Sequence, residues 1–231
     1  NKFLGGLHFG YEHNYVLRAG WTLYWQVKSD VMIKGADVLR AGYIPRGERW
    51  QGTLMIGGGE FVLPAAVLHG EKEGKTVLIT AAVHPGEYVG VETAVELANE
   101  LKMEKITGTI VIVKVVCPEE FEQRAGSLCL EDRKNLNRQF PGDEDGTRTQ
   151  RLASAIKKEL HSVADYYIDL HSGDEYEDLT PFVYYAGKGE KKSSRFPEKW
   201  RNMWMFRIWY APMWNPVVLI IMQPPAEFRA S

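Results

Sequence analysis

Continuous apolar runs alternate with amphipathic stretches through the middle of the chain. Uninterrupted apolar runs rich in β-branched residues are typical of strands that are buried on both faces of a sheet. They predict strands over residues 76–83, 107–116, 165–171 and 180–186. A glycine triplet at residues 57–59 lies between two further β-rich runs. It predicts a hairpin over residues 52–69, because glycine adopts the positive φ values of tight turns.

Two stretches have the apolar spacing of helices. Over residues 89–102 the apolar positions are Val91, Ala94, Val95, Ala98 and Leu101, and over residues 147–164 they are Leu152, Ala155, Ile156 and Leu160. This spacing places the apolar side chains on one helix face. The first helix lies between two predicted strands with short connections, so we expect a right-handed βαβ unit and a largely parallel sheet. The fold class that follows is α/β.

The composition fits one sizeable globular domain. The 231 residues are 45% hydrophobic and 25% charged, with a formal net charge of −2. This balance gives no electrostatic reason to expect nucleic acid or an anionic membrane as a partner. The two cysteines, Cys117 and Cys129, make no disulfide framework, and neither a secretory signal nor an apolar run of bilayer length is evident. We therefore expect a cytoplasmic protein, and the sequence leaves its oligomeric state open.

The predicted strand over residues 76–83 ends at the sequence His84-Pro-Gly-Glu87. A tight turn can aim an imidazole and a carboxylate three positions apart at one metal ion. By chance alone, a chain with six histidines and this many glutamates contains such a pair about half the time. The pair therefore indicates a metal site only if another element supplies a further ligand.

His171 ends the predicted strand over residues 165–171 and can supply that ligand. Side chains at the carboxyl ends of neighbouring strands collect at one edge of an open α/β sheet. Two imidazoles and one carboxylate, from His84, Glu87 and His171, are a ligand set of catalytic zinc hydrolases. Asp169 lies on the same face of its strand as His171 and could accept the second N–H of a liganding imidazole. The alternative is that each histidine is a structural residue at a strand end.

The other candidate ligands have weaker settings. Asp174 could chelate together with His171, although support of its loop is the simpler interpretation. The remaining histidines lie in no comparable setting, and we interpret them as surface or packing residues: His8, His13, His69 and His161.

Residues 118–146 form a long polar segment without helical or alternating periodicity, and segments of that kind are usually functional. Within it lies the sequence Asn135-Leu-Asn137-Arg138-Gln-Phe-Pro-Gly142. An amide next to a planar guanidinium can hold a carboxylate or polarise a carbonyl oxygen. The alternative is a loop whose arginine is simply solvated at the tip.

Three motifs together resemble the succinylglutamate desuccinylase/aspartoacylase family, relatives of the zinc carboxypeptidases. They are His84-Pro-Gly-Glu87, the segment from Asn135 to Gly142, and Asp169-Leu-His171-Ser-Gly-Asp174, which occur in the family's order and at suitable separations. The resemblance covers roughly residues 45–190, and the combination of motifs is specific although each motif alone is not.

The resemblance implies a three-layer α/β/α sandwich with a mixed, mostly parallel sheet. It implies one zinc ion per chain, held by His84, Glu87 and His171, and a small carboxylate substrate bound by Asn137 and Arg138. The implied reaction is hydrolysis of an amide bond in an N-acyl amino acid, in which water activated by zinc attacks the carbonyl. A carboxypeptidase acting on peptide C-termini is the alternative enzyme.

The sequence departs from the family in two places. Many members carry a second arginine before the Asn-Leu-Asn-Arg motif, but neither Arg124 nor Arg133 falls in register. The general-base glutamate of the family lies on a late strand, and the sequence offers no counterpart, so the catalytic residue is unknown. If the chain is active, Glu175 or Glu177 would be candidates for the base. A catalytically inactive fragment that binds zinc and carboxylate is therefore a third alternative.

We expect the catalytic domain to span residues 32–191 and to be incomplete at its C-terminal side. Residues 1–31 show no period and form an arm of uncertain origin. Residues 192–231 differ in composition, since they carry six basic and two acidic residues (net +4) against 22 and 28 (net −6) in residues 1–191. The same tail concentrates four tryptophans, Trp200, Trp204, Trp209 and Trp214.

One interpretation of this tail is an interaction arm or a membrane-seeking segment. We favour the hypothesis that a reading-frame error near residues 190–197 replaced the native continuation. Methionine and tryptophan have single codons, so the bases that encode residues 203–206 spell Val-Asp-Val in a neighbouring frame. Resequencing the gene tests the hypothesis, because an unbroken frame through residue 231 would contradict it.

Overall fold

The computed structural model describes residues 32–34, 44–174, 177, 183–185 and 219–223. The strands are β1 (Met32–Lys34), β2 (Arg49–Ile56), β3 (Phe61–His69), β4 (Lys72–Ala81), β5 (Thr107–Val113), β6 (Tyr166–His171), β7 (Val183–Tyr185) and β8 (Leu219–Gln223). The α-helices are α1 (Tyr88–Glu100), α2 (Pro118–Glu122) and α3 (Arg148–Ala155), which continues as a π-helical turn (Ile156–Leu160) and a 3-10 turn (His161–Val163). No helix in these ranges has both the length and the apolar content needed to cross a membrane.

The described strands form one mixed sheet in the order β1-β2-β3-β5-β4-β6-β8-β7. The pairs β1–β2, β5–β4, β4–β6 and β7–β8 are parallel, and the other three pairs are antiparallel. The predicted hairpin is confirmed, because β2 and β3 pair antiparallel on either side of a 3-10 turn at Gly57–Gly59. The predicted βαβ unit is confirmed in β4, α1 and β5, whose strands are parallel neighbours.

Helices cover both faces of the sheet. Leu78 of β4 packs in one core with Leu152 of α3, whereas Ile79 packs in the other core with Val91 of α1. Successive side chains of a strand point to opposite faces, so α1 and α3 lie on opposite sides of the sheet. The fold is therefore the three-layer α/β/α sandwich that the family resemblance implies.

The two central strands, β4 and β6, deliver the chain to the same edge of the sheet. They are parallel neighbours with Ala81 opposite Leu170, so the residues that follow them emerge side by side. Helix α1 packs tightly behind this edge, because a Cβ on Gly90 would lie only 2.9 Å from the carbonyl oxygen of Leu170. Glycine permits this close approach of helix and strand.

Several segments differ from what the sequence predicts, among them Pro118–Glu122, which forms α2 inside the stretch predicted to be irregular. The sequence predicts that the strand before His84 begins at residue 76, but β4 begins at Lys72 and pairs with Thr107, with an irregular register before Thr76. Residues 72–75 are exposed, so their backbone pairs without the apolar alternation that marks a strand. Residues 219–223, for which the sequence predicts no element, form β8 and pair antiparallel with β6. Backbone pairing along an available strand edge requires no side-chain period.

Candidate metal centre

The turn after β4 carries His84 and Glu87. The chain leaves the strand through Ala82, whose φ of 54° lies in the left-handed region. The N–H of Glu87 donates to the carbonyl oxygen of His84 (3.2 Å), and α1 begins at the next residue. A Cβ on Gly86 would lie 3.3 Å from the Cα of Gly126, so the turn packs directly against the loop that follows α2. The turn is thus fixed by a strand, a helix and a loop.

His84, Glu87 and His171 meet at one point. A ligand atom from each residue lies within 4.8 Å of the others. Nδ1 of His84 is 2.7 Å from Oε1 of Glu87, and Nδ1 of His171 is 2.7 Å from Oε2 of the same carboxylate. The two imidazole centroids are 4.9 Å apart. Glu87 and His171 are buried and His84 is half-buried, so solvent approaches the cluster on the side of His84.

The outer nitrogen of His171 contacts a carboxylate. Its Nε2 lies 2.8 Å from Oδ2 of Asp169, which is 3% exposed. An ionised carboxylate only accepts hydrogen bonds, so Nε2 carries the proton and donates. The strand alternation predicts Asp169 on the same face as His171, and in the structure the two side chains are in contact.

The outer nitrogen of His84 contacts an amide. Its Nε2 lies 3.1 Å from Oδ1 of Asn135, which also accepts the backbone N–H of Asn137 (2.9 Å). Because a backbone N–H is always a donor, the Asn135 atom at this position is the oxygen, and Nε2 of His84 must donate to it. The sequence does not predict this contact of Asn135. The available signal was its place two residues before Asn137 in the loop motif.

These contacts determine what the centre of the cluster can hold. With protons on both Nε2 atoms, neutral imidazoles direct their Nδ1 lone pairs at the Glu87 carboxylate, which offers lone pairs as well. The arrangement is favourable only when positive charge, from added protons or a metal ion, lies among these atoms. Two imidazole nitrogens and a carboxylate oxygen match the three protein ligands of a catalytic zinc site. The residues present therefore fit a zinc ion.

The pKa values of His171 and Glu87 agree with a cluster that favours positive charge at its centre. Burial alone would lower the pKa of His171, but the carboxylates of Asp169 and Glu87 outweigh burial and raise the pKa to about 10. Burial would raise the pKa of Glu87, but hydrogen bonds from His171 and His84 outweigh burial and lower it. Ser172 also donates its backbone N–H to Oε2 of Glu87 (3.1 Å), a contact that no pattern in the sequence predicts.

The segment that carries Asn135, Asn137 and Arg138 is attached to α3. Before it, Asp132 accepts the backbone N–H of Thr149 (2.9 Å) and the Thr149 hydroxyl (2.6 Å). Burial would raise the pKa of Asp132, but hydrogen bonds, chiefly from Thr147 and Thr149, hold it well below the usual range. After the segment, the N–H of Asp143 donates to the carbonyl oxygen of Gln150 (3.1 Å).

The proposed carboxylate anchor lies on this attached segment. Asn137 is half-buried and Arg138 is exposed, and the guanidinium donates to the carbonyl oxygen of Asn137 (3.3 Å). The segment adjoins the metal cluster through the contact between Asn135 and His84. An exposed guanidinium on a fixed backbone is available to a dissolved carboxylate. Substrate binding by Asn137 and Arg138 stays a prediction.

The other residues considered from the sequence lie elsewhere or outside the described residues. His69 contacts the carbonyl oxygen of Ile44 through Nδ1 (2.7 Å), and His161 is buried between Phe140 and Tyr167, with ring centroids 5.5 and 4.4 Å apart. Among the described residues, neither histidine belongs to the cluster of three possible metal ligands. His8, His13 and Glu175 lie outside the described residues, and Glu177 is exposed.

Known proteins resemble the chain in sequence. The Succinylglutamate desuccinylase/Aspartoacylase catalytic domain matches residues 73–202. The N-alpha-acetyl-L-2,4-diaminobutyric acid deacetylase of Halomonas elongata is 35% identical over 126 residues, which are 54% of this chain and 36% of that protein. The chain therefore spans about a third of the length of this curated relative.

Solved structures share the fold. The product-bound ectoine utilization protein EutE from Ruegeria pomeroyi has a TM-score of 0.59 at 25% identity, over 78% of this chain and 61% of that one. A metallo-carboxypeptidase from Burkholderia cenocepacia has a TM-score of 0.51 at 15% identity, over 82% of this chain and 58% of that one, a likeness of fold alone. The family match covers more than half of the 231 residues and includes the whole metal cluster. The chain belongs to the succinylglutamate desuccinylase/aspartoacylase family.

Proposed function

We propose that this chain is a zinc-dependent hydrolase of amide C–N bonds in N-acyl amino acids or related small carboxylates. The observation that carries the proposal is the cluster of His84, Glu87 and His171, in which the outer contacts place both Nδ1 lone pairs toward one carboxylate. A cation at this point completes the cluster, and zinc suits the donor set. When bound, zinc supplies an activated water and polarises the carbonyl of the scissile amide.

The residues of the chain have separate roles in this proposal. His84, Glu87 and His171 hold one zinc ion per chain, while Asp169 and Asn135 orient the two imidazoles. Asn137 and Arg138 bind the carboxylate of the substrate beside the metal. Because the carboxylate does not react, binding it to Asn137 and Arg138 can position the amide bond of the substrate at the metal.

The substrate class follows from the relatives as well as the site. The Halomonas elongata relative is named as a deacetylase of an N-acetylated amino acid. An exposed arginine on the segment that contacts His84 suits a small substrate of that kind, which carries one free carboxylate. A peptide C-terminus presents a carboxylate too, so peptides are the competing substrate and belong in the same assay.

The first experiment tests the metal. The purified chain is stripped with a chelator, reloaded with zinc, and its metal content measured by mass spectrometry. We expect about one zinc per chain in the parent, as three-ligand catalytic sites bind one ion. His171→Ala should lose the zinc with an unchanged far-UV circular dichroism spectrum, whereas the control His69→Gln, which removes an imidazole outside the cluster, should keep it. Full zinc retention in folded His171→Ala would refute the proposed site.

The second experiment tests turnover. Release of free amino acid is measured for a panel of N-acyl amino acids and for short peptides, with the zinc-loaded chain. Because the sequence offers no counterpart of the family's general base, we expect zinc binding with weak hydrolysis, N-acyl amino acids being the better substrates. Strong turnover would show that a residue of this chain serves as the base. Faster release from peptides would favour the carboxypeptidase, and zinc binding with no turnover would favour the inactive binding fragment.

A further inference from the structure

A line of buried polar side chains runs beneath the metal cluster on the face of the sheet that α3 covers. Thr80 of β4 lies opposite Asp169 of β6 in the strand register, and Tyr167 lies two residues before Asp169 on the same strand face. The hydroxyl of Thr80 is 2.6 Å from Oδ1 of Asp169 and 2.9 Å from the hydroxyl of Tyr167. All three residues are buried, with Thr80 only 1% exposed.

The direction of these hydrogen bonds is determined by chemistry. The Asp169 carboxylate cannot donate, so the Thr80 hydroxyl donates to Oδ1, and having given its one proton it accepts from the Tyr167 hydroxyl. The other oxygen, Oδ2, accepts the Nε2 proton of His171 (2.8 Å). One consistent direction therefore runs from Tyr167 through Thr80 and Asp169 to His171, and it ends with the Nδ1 lone pair of His171 facing the metal position.

We propose that Thr80 is a positioning residue for the metal centre, which holds the Asp169 carboxylate in the orientation that fixes the tautomer and direction of His171. The inference rests on the proposed function, because it assigns to His171 the role of a metal ligand. The sequence alone indicates no role for Thr80, which is one residue of an apolar strand.

The packing around Thr80, Asp169 and Tyr167 favours a positioning role for Thr80. The alternative is that its hydroxyl is merely a buried polar group that has found a hydrogen-bond partner. The neighbouring positions on this strand face are apolar, such as Leu78, which is 1% exposed. Burying polar groups among such residues costs free energy unless they are hydrogen-bonded. The Tyr167 ring is held in place by the imidazole of His161 (centroids 4.4 Å apart). The Thr80 hydroxyl donates to Oδ1 of Asp169 and so restrains the carboxylate, and deleting the hydroxyl removes that restraint.

The test compares metal affinities of variants of the full chain. Zinc dissociation constants are measured by competition with a chromogenic chelator, and the absorption spectrum of the cobalt(II)-substituted chain reports ligand geometry. Thr80→Val keeps the volume and deletes the hydroxyl, and Thr80→Ser keeps the hydroxyl. The matched control is Thr93→Val, which deletes a hydroxyl that donates to the carbonyl oxygen of Val89 within α1 (2.9 Å).

We expect Thr80→Val to weaken zinc binding by about tenfold, the lower end of the effect of residues that orient metal ligands, and to change the cobalt spectrum. Thr80→Ser and Thr93→Val should bind zinc as the parent does. Because Thr80 acts through Asp169, Thr80→Val should add little to the loss caused by Asp169→Asn in the double variant. Thr80→Ala deletes the same hydroxyl and carries the test if Thr80→Val does not fold.

Two outcomes would overturn the inference. One is parent-like zinc affinity and an unchanged cobalt spectrum in folded variants that lack the hydroxyl. The other is full additivity with Asp169→Asn. Both differ from failure of the proposed function, in which the parent chain itself binds neither zinc nor cobalt(II) at this site.

Discussion

At the scale of single residues, the two imidazoles of the cluster have unlike outer partners. His171 donates to the carboxylate of Asp169, whereas His84 donates to the amide oxygen of Asn135. The same amide oxygen accepts the backbone N–H of Asn137. One side chain thus orients a proposed metal ligand and the backbone of the proposed carboxylate anchor, and its removal should disturb both.

We predict that Asn135→Ala weakens zinc binding about 10- to 100-fold, because His84 loses the acceptor that fixes its tautomer. Competition with a chelator measures the change. Asn135→Asp, which keeps an oxygen acceptor in the same place, is the matched control and should retain most of the affinity. Equal zinc affinity in Asn135→Ala and the parent would show that His84 needs no such partner.

A second residue-scale prediction concerns Lys114, which is 2% exposed and donates to Oε1 of Gln51 (2.9 Å). Burial lowers its pKa from 10.5 to about 8. Between these values the unfolded chain holds a proton that the folded chain has released, so this group makes stability rise with pH across that window. At pH 7 both states are protonated, and the full cost of burying the ammonium, about 3 kcal/mol by this pKa difference, is present.

Lys114→Met should therefore raise the free energy of unfolding at pH 7, by about 1–3 kcal/mol after loss of the hydrogen bond to Gln51. It should also flatten the rise in stability between pH 8 and pH 10. Urea unfolding at several pH values measures both effects. The exposed Lys72→Met serves as a control and should change neither. A destabilised Lys114→Met with the parent's pH dependence would show that the amine is not desolvated.

At the scale of elements, the loop from α2 to α3 depends on close contact with α3. Gly142 has a φ of +89°, and a Cβ there would lie 2.2 Å from the backbone nitrogen of Ser154. Both the backbone conformation and the contact exclude a side chain. The glycine thus sets the end of the segment that carries Asn137 and Arg138.

We predict that Gly142→Ala lowers the free energy of unfolding by about 2 kcal/mol or more, through backbone strain and overpacking against α3. Gly126→Ala is the matched control in another loop, because a Cβ there meets nothing within 4 Å. Urea unfolding of both variants decides the matter. Equal stability of the two would mean that the loop shifts from α3 without cost.

Much of this element-scale architecture could be predicted because apolar runs and stripes report burial directly. The hairpin around Gly57–Gly59 and the unit of β4, α1 and β5 follow from such patterns. The gathering of His84 and His171 at one edge follows from their positions after strands that turn out to be neighbours. The contact of Asn135 with His84 and the pairing of Thr80 with Asp169 could not be predicted. They depend on loop course and strand register, which no local pattern specifies.

At the scale of the whole molecule, the cluster joins distant parts of the chain. His84 and Glu87 belong to the turn between β4 and α1, His171 ends β6, and Asn135 connects His84 to the loop before α3. The cores on the two faces of the sheet are separate, one built with α1 and the other with α3. A metal ion in the cluster would therefore link the turn that leads into one helical layer to the loop that leads into the other.

We predict that zinc stabilises the described domain as a unit. An ion that binds only the folded state, at a free concentration about 100 times its dissociation constant, adds about 2.7 kcal/mol to the free energy of unfolding. The melting temperature should rise with zinc and fall with a chelator, with near-UV circular dichroism and tryptophan fluorescence changing together. His171→Ala should melt at one temperature with or without zinc. A zinc-dependent shift of equal size in His171→Ala would place the stabilising ion elsewhere in the chain, because the ligands of the cluster would then be dispensable for it.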